Sequence, residues 1–215
     1  MASFVKESIE SSNHKCVGMY DPLGNGNYKD LKEIVNKIDG IIDFSHFSLT
    51  EEILKYAIEI NSPLVIATTG HTDEQKLKIE EASKKIAILK ATNTSLGVNI
   101  MNQIVSYATK LLADFDIELI EKHHNRKIDA PSGTAVTLLE VINESFSEKK
   151  NFVYGREGNK KREKNEIGVH AIRAGNIVGE HTVIFSSGDE IIEIKHEALS
   201  RKIFADGAVK AILSL

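Results

Sequence analysis

Two adjacent histidines, a lysine and a Pro-Ser-Gly-Thr run crowd into one short stretch, Glu121–Ala135 (EKHHNRKIDAPSGTA). An imidazole titrates near neutrality, so His123 is suited to passing a proton to or from a substrate. Lys127 is a compact cation that can neutralise an anion or donate a proton. A strand ending at about Glu121 would lead into a polar loop, and a helix would open at Pro131, whose missing N–H is not needed in a first turn. Ser132, Gly133 and Thr134 would then present backbone N–H groups at the positive end of the helix dipole. That is a site for a carboxylate or phosphate, which Gly133 lets approach closely. The plainer alternative is a helix cap behind a solvated loop, but so many reactive groups within a dozen residues argue against it. His123 and His124 are not expected to share a metal ion, because adjacent strand residues point to opposite faces.

Two further runs follow apolar strands. Ala67–Gly70 (ATTG) stands after Pro63–Ala67 (PLVIA), and Ala91–Asn99 (ATNTSLGVN) after Ala87–Lys90. In open parallel sheets ligands bind beyond the carboxyl ends of strands, and small hydroxyl-bearing residues allow close backbone approach. Asp21 ends another candidate strand, where an acidic residue would accept bonds from an adenosine ribose; it could equally be an ordinary turn residue before Pro22. His170, Arg173, His181 and His196 lie on later strand candidates, where most such residues are satisfied structurally.

The elements that must position these groups fall into two halves. Up to about Leu96, strand candidates Lys15–Tyr20, Gly40–Phe44, Pro63–Ala67 and Ala87–Lys90 alternate with helical stretches. These are Phe4–Ser11, a weak face over Tyr28–Lys37, Thr50–Ile60 capped by Thr50, and Thr72–Lys85. Apolar strands separated by helices indicate a parallel sheet with right-handed crossovers. A helical stripe then runs from Leu96 to Leu112. Beyond it the alternating segments Ile117–Glu121, Ile167–Ile172, Gly179–Phe185 and Glu190–His196 read as strands, with a hairpin turn at Ser186–Asp189. A helix from Pro131 to about Phe146 interrupts them, and Arg201–Leu215 forms a last helix that returns to the first half. Lys149–Glu166, rich in Lys, Arg, Asn and Gly, reads as a solvated, mobile loop.

Composition excludes several classes. The 215 residues are 41% hydrophobic and 27% charged, ordinary for a globular protein. A net charge of −4 gives no general attraction to nucleic acid or anionic membrane. No apolar run is long enough to span a bilayer, and the first residues lack the pattern of a secretory signal. A single Cys16 rules out an internal disulfide. The expectation is a cytoplasmic enzyme.

Taken together these motifs resemble the 4-hydroxy-tetrahydrodipicolinate reductase (dihydrodipicolinate reductase) family of the diaminopimelate route to lysine. Its signature E-x-H-H-x-x-K-x-D-A-P-S-G-T-A is present without a gap at Glu121, His123, His124, Lys127, Asp129 and Ala130–Ala135. DFS (Asp43–Ser45), ATTG, NTSLGVN (Asn93–Asn99), EIGVHAIRAGNIVGEHTV (Glu166–Val183) and HEALSRKIFADGAVKA (His196–Ala211) follow the family's order. The resemblance implies a Rossmann-like parallel-sheet nucleotide domain, residues 1–96 with 199–215. It also implies a mixed α/β substrate-binding and tetramerisation domain, residues 97–198. It implies hydride transfer from NADH or NADPH to a small cyclic dicarboxylate by a homotetramer. His123 would be the proton donor and acceptor, and Lys127 a second proton donor. His124, Gly133 and Thr134 would bind substrate; Ala67, Thr68, Thr69, Ala91, Thr92, Asn93 and Thr94 would line the cofactor, with Asp21 near the ribose. The family opens with a strand and a G-x-x-G-x-M-G loop, whereas this sequence aligns from that loop's Met, with Ala2 where the last glycine would stand. On that alignment the first strand is missing, and the chain as given is expected to hold dinucleotide weakly until upstream residues are restored. The alternative is a catalytically weak fragment that keeps the substrate domain.

Overall fold

The computed structural model describes residues 1–215. Its helices are α1 (Ala2–Ser11), α2 (Thr50–Glu59), α3 (Asp73–Ser83), α4 (Leu96–Leu111), α5 (Gly133–Glu144) and α6 (Lys202–Ile212). Its strands are β1 (Ile41–Asp43), β2 (Leu64–Ile66), β3 (Ile88–Lys90), β4 (Asp116–His123), β5 (Asn151–Tyr154), β6 (Glu166–Arg173), β7 (Gly179–Ser186) and β8 (Ile191–Ala198). Two compact units result: Met1–Ser95 with Arg201–Leu215, and Leu96–Ser200. None of the helices is long and apolar enough to cross a membrane.

The first unit is built on a parallel sheet in the order β1-β2-β3, with Ile41 beside Leu64 and Leu64 beside Ile88. All three β2 residues are buried, as a central parallel strand requires. Leu64 and Ile66 pack with Ile53, Leu54 and Ala57 of α2 and with Ile79 and Ala82 of α3. Thr72 and Gln75 form a reciprocal capping box at the start of α3, satisfying two N–H groups. Thr50 does not cap α2. A single 3-10 turn, Phe47–Leu49, precedes that helix, and His46 accepts from the Ser48 N–H instead.

Two expected elements do not form in this unit. Lys15–Tyr20 is not a strand; only Tyr20 bridges to Tyr28. Its backbone is satisfied within its own loop, where the Met19 carbonyl accepts from Asn27 and Tyr28 and the Tyr28 carbonyl accepts from Asp21. Tyr28–Lys37 contains only the turn Leu31–Glu33, capped by Asp30; Leu31 is buried but Val35 is 89% exposed, so no continuous apolar face forms.

The second unit is a mixed sheet in the order β5-β6-β4-β7-β8, with β4 parallel to β6 and antiparallel to β7. Ile117, Leu119, Ile167, Val169, Val183 and Phe185 form one apolar face. Against it pack Met101 and Val105 of α4 and the i, i+3, i+4, i+7 stripe Ala135, Leu138, Leu139 and Ile142 of α5. Residues 149–166 are not one solvated loop. Asn151–Tyr154 adds an edge strand parallel to β6, and the residues after it are held by arginines. Arg156 and Arg162 both bind Glu118 of β4, at 2.9 and 3.2 Å.

Candidate active site

Strand β4 extends beyond Glu121 to His123, so its two-residue alternation carries one face from core to chemistry. Ile117 and Leu119 are fully buried in the apolar core, and the next residue on their face, Glu121, is also fully buried. His123 follows on that face. Neighbouring strands contribute Arg173, opposite His123 on β6, and His181, opposite Glu121 on β7.

Glu121 is the hub. Its Oε2 lies 2.6 Å from His123 Nδ1 and accepts from Arg173 Nη1 at 2.7 Å. Its Oε1 accepts from Arg173 Nη2 at 2.6 Å and from the Ser132 N–H at 3.1 Å. Burial by itself would raise this carboxyl's pKa; the bonds from His123 and Arg173 outweigh it and lower the pKa to about 2, from an ordinary 4.5. A depressed pKa gives stability that is complete above pH 4.5 and fades as pH falls towards 2. We therefore expect the urea midpoint of the parent protein to drop over that interval, and Glu121→Gln to lose much of the drop. Parallel midpoint-against-pH curves for the two proteins would refute the assignment.

The helix that follows begins later than Pro131. Ser132 is the N-cap, its hydroxyl accepting from the Ala135 N–H at 3.2 Å, and Gly133 is the first helical residue. Of the three N–H groups expected to face an anion, that of Ser132 is consumed by Glu121. Gly133, in the first turn, has no intrahelical acceptor for its N–H, and a Cβ placed there would meet nothing within 4 Å. The Ser132 hydroxyl also lies 2.8 Å from His181 Nε2. Burial, with His123 close by, pushes His181 down to about 3, so it is neutral at physiological pH.

His124 and Lys127 sit together in the turn after β4, where the Lys127 N–H donates to the His124 carbonyl at 3.1 Å. Lys127 Nζ donates to both carboxylate oxygens of Asp129 at 2.8 Å. Burial opposes ionisation of Asp129, but Lys127 holds its pKa below the ordinary value. Arg173 Nη2 also donates to the Asp129 carbonyl at 2.7 Å, so one guanidinium ties the Lys127 turn to Glu121. The structure thus joins His123, Lys127 and the Gly133–Thr134 helix start through Glu121, Arg173 and Ser132. In the sequence alone Glu121 carries no role of its own, and Arg173 and His181 read as strand residues. The available signal was the Ile117, Leu119, Glu121 alternation, which places a carboxylate on a core-facing row.

Gly179 sets the space around the imidazole. A Cβ built there would lie 3.1 Å from His123 Nε2, closer than ordinary van der Waals contact. Gly179→Ala is expected to displace the ring and lower kcat roughly tenfold or more, since small misplacements of a reacting group are costly. Steady-state kinetics beside a thermal melt would check this; an unchanged kcat would free Gly179 of the role.

The residues expected to meet a cofactor lie in the first unit. Ala67–Thr69 and Ala91–Thr94 follow the carboxyl ends of β2 and β3, on the same edge of the parallel sheet. Two of their hydroxyls are committed internally: Thr68 Oγ1 donates to the Ser45 carbonyl at 3.1 Å and Thr94 Oγ1 to the Phe204 carbonyl at 2.6 Å. These two threonines would therefore meet a ligand through backbone rather than hydroxyl groups. A cavity of about 1080 Å³ in this unit is lined by Asp21, by Asp43 at the end of β1 with Phe44 and Ser45, and by apolar side chains such as Val5, Ile53 and Val209. Ala67–Thr69 and Ala91–Thr94 do not line it. Asp21 accepts from the Leu23 N–H and from Asn25 Nδ2, at 2.9 and 3.1 Å, the contacts of a turn-forming Asp.

Residues 1–94 match the family model "Dihydrodipicolinate reductase, N-terminus" and residues 97–215 match "Dihydrodipicolinate reductase, C-terminus". The 4-hydroxy-tetrahydrodipicolinate reductase of Brachyspira hyodysenteriae is 47% identical over 212 residues, covering 98% of this chain and 87% of that protein. The enzyme of the same name from Caldanaerobacter subterraneus subsp. tengcongensis is 48% identical over 191 residues, covering 88% of this chain and 76% of its own length. Among solved structures, a dipicolinate-bound dihydrodipicolinate reductase from Paenisporosarcina sp. TG-14 shares the fold. Its TM-score is 0.74 at 23% identity, with 99% of this chain and 89% of that one covered. With both of its halves matched and relatives of this similarity along almost its whole length, the chain belongs to the dihydrodipicolinate reductase family.

Proposed function

We propose that this protein reduces 4-hydroxy-tetrahydrodipicolinate to tetrahydrodipicolinate in the diaminopimelate route to lysine, using NADH or NADPH. The observation that supports it most is the linkage of His123 to an anion-ready helix start through one buried carboxylate, in a chain whose relatives carry that enzyme name. A cyclic dicarboxylate needs two anion sites and a proton source. Gly133 and Thr134 would receive one carboxylate through first-turn N–H groups, and His124 and Lys127 would stand by the other. Overall the hydroxyl leaves as water, hydride is added to the ring and one proton is taken up. His123 gives and receives protons, and Lys127 is the second donor.

The reduced nicotinamide supplies the hydride. The first unit fits such a group: small residues follow aligned strand ends, and two of their hydroxyls are turned inward, leaving backbone for close approach. Ala67–Thr69 and Ala91–Thr94 would hold it, with Asp21 near the ribose; this unit is the nucleotide domain and the second the substrate and oligomerisation domain. No observation favours the alternative of a catalytically weak fragment. We further propose a cytoplasmic homotetramer. Exposed Ile172 and Ile191, on the sheet face opposite α4 and α5, support an assembly that covers them; the charges between them, Lys122, Glu180 and Lys195, are already paired with one another.

The test is loss of nicotinamide absorbance when the purified protein meets 4-hydroxy-tetrahydrodipicolinate with each dinucleotide in turn. Sedimentation velocity gives the assembly state. Turnover with neither dinucleotide would defeat the proposed activity.

A further inference from the structure

We infer that Glu121 is a positioning residue that assigns the working nitrogen of His123 and locks that imidazole to the substrate-anchoring helix start. The inference rests on the reductase reading for what these groups do, and on geometry alone for how they are held. Four donors converge on the two oxygens of Glu121: His123 Nδ1, the Ser132 N–H and both terminal nitrogens of Arg173. An ionised carboxylate only accepts hydrogen bonds, so Nδ1 must carry a proton. In the neutral ring the lone pair then sits on Nε2, and in the charged ring Nε2 bears the transferable proton. Giving and receiving a proton therefore happen at one atom, and that atom faces Gly179, the residue without a side chain.

The charged and titratable groups around the ring are few. Arg173 comes from β6 and His181 from β7, with His196 of β8 paired behind His181. Lys127 and Asp129 lie on the following turn, paired to each other. His181 packs edge-on against His123 with ring centroids 5.3 Å apart and is neutral. Glu121 is thus the one anion in direct contact with the ring. Its other oxygen fixes the Ser132 N–H one residue before Gly133, while Ser132 Oγ is held by His181. A shift of this carboxylate would move proton donor and substrate anchor together.

Nitrogen-15 NMR of the parent protein tests the first half without any variant. Neutral His123 should be protonated at Nδ1, the tautomer that a free histidine side chain disfavours in water. Protonation at Nε2 would overturn the inference. Glu121→Gln tests the rest: kcat should fall by about tenfold to a hundredfold, part of the 10²–10⁴ that general acid catalysis supplies. The Gln amide can donate as well as accept, so the Nδ1 proton is no longer dictated and the Nε2-protonated tautomer should appear in the nitrogen-15 spectrum of that variant. Glu121→Asp keeps an acceptor-only carboxylate but shortens the reach, so Nδ1 protonation should persist while kcat falls. Parental kcat and an unchanged tautomer in Glu121→Gln would overturn the inference. If the variants do not fold, the parent's tautomer decides. If the parent turns over neither dinucleotide, the reductase reading fails, while the tautomer still judges the positioning role.

Discussion

Lys127→Ala is expected to lose about 10²–10⁴-fold in kcat, the range typical of removing a general acid, with little change in fold or in dinucleotide affinity. The ammonium is paired only with Asp129, two residues away and 60% exposed at its side chain, so the pair adds little to stability. Asp129 keeps its place without Lys127, because its carbonyl is held by Arg173. Lys127→Arg should not rescue turnover, since a guanidinium stays protonated and cannot hand over its proton. Steady-state kinetics separate the two roles open to the lysine. A fall in kcat marks a proton donor, whereas a raised KM at constant kcat marks an anchor that binds substrate and transition state alike. Unchanged turnover would remove Lys127 from the mechanism.

Gly133→Val should weaken binding of pyridine-2,6-dicarboxylate about tenfold to several hundredfold while the protein stays folded. Nothing lies within 4 Å of a Cβ built at Gly133, so a branched side chain has room there and would crowd the space expected for an anion at the first turn. Each N–H bond to a charged acceptor is worth about 1.5–3 kcal/mol. At about 1.4 kcal/mol per decade, loss of one such bond accounts for the lower end of that range and more. Val is a poorer helix former than Ala by less than about 1 kcal/mol, so α5 should survive on its buried stripe. Calorimetry gives the affinity directly, and equal affinity in variant and parent would count decisively against this anion site.

What was legible in the sequence follows the range of the forces involved. The period-3.6 stripes of α4 and α5 and the period-2 strands of the second unit stand in the residues themselves, because burial on one face leaves a local pattern. The inner strands of the first unit are legible for the same reason: β2 is apolar throughout. Lys15–Tyr20 shows the limit. Its apolar composition suits a strand, but it finds its hydrogen bonds at Asn27 and Tyr28. Arg156 and Arg162 show another limit. They look solvated beside their lysine and asparagine neighbours, yet Glu118, some forty residues earlier in the chain, pins both. At the site, His123, Lys127 and Gly133 are legible because they are close in sequence. Arg173 and His181 are not, since only the strand order β6-β4-β7 brings them beside Glu121.

That strand order, with the alternation along β4, also bears on quality control. Ile117 and Leu119 are buried among the helices, and Glu121 and His123 continue the same row. A strand that slips by one residue turns every side chain to the opposite face. Such a slip would thrust Glu118 into the apolar layer and, in the same movement, turn the His123 imidazole away from the start of α5. Folding and assembly of the candidate site are therefore decided by a single alignment: a molecule of this protein with its second core correctly packed already has His123 aimed.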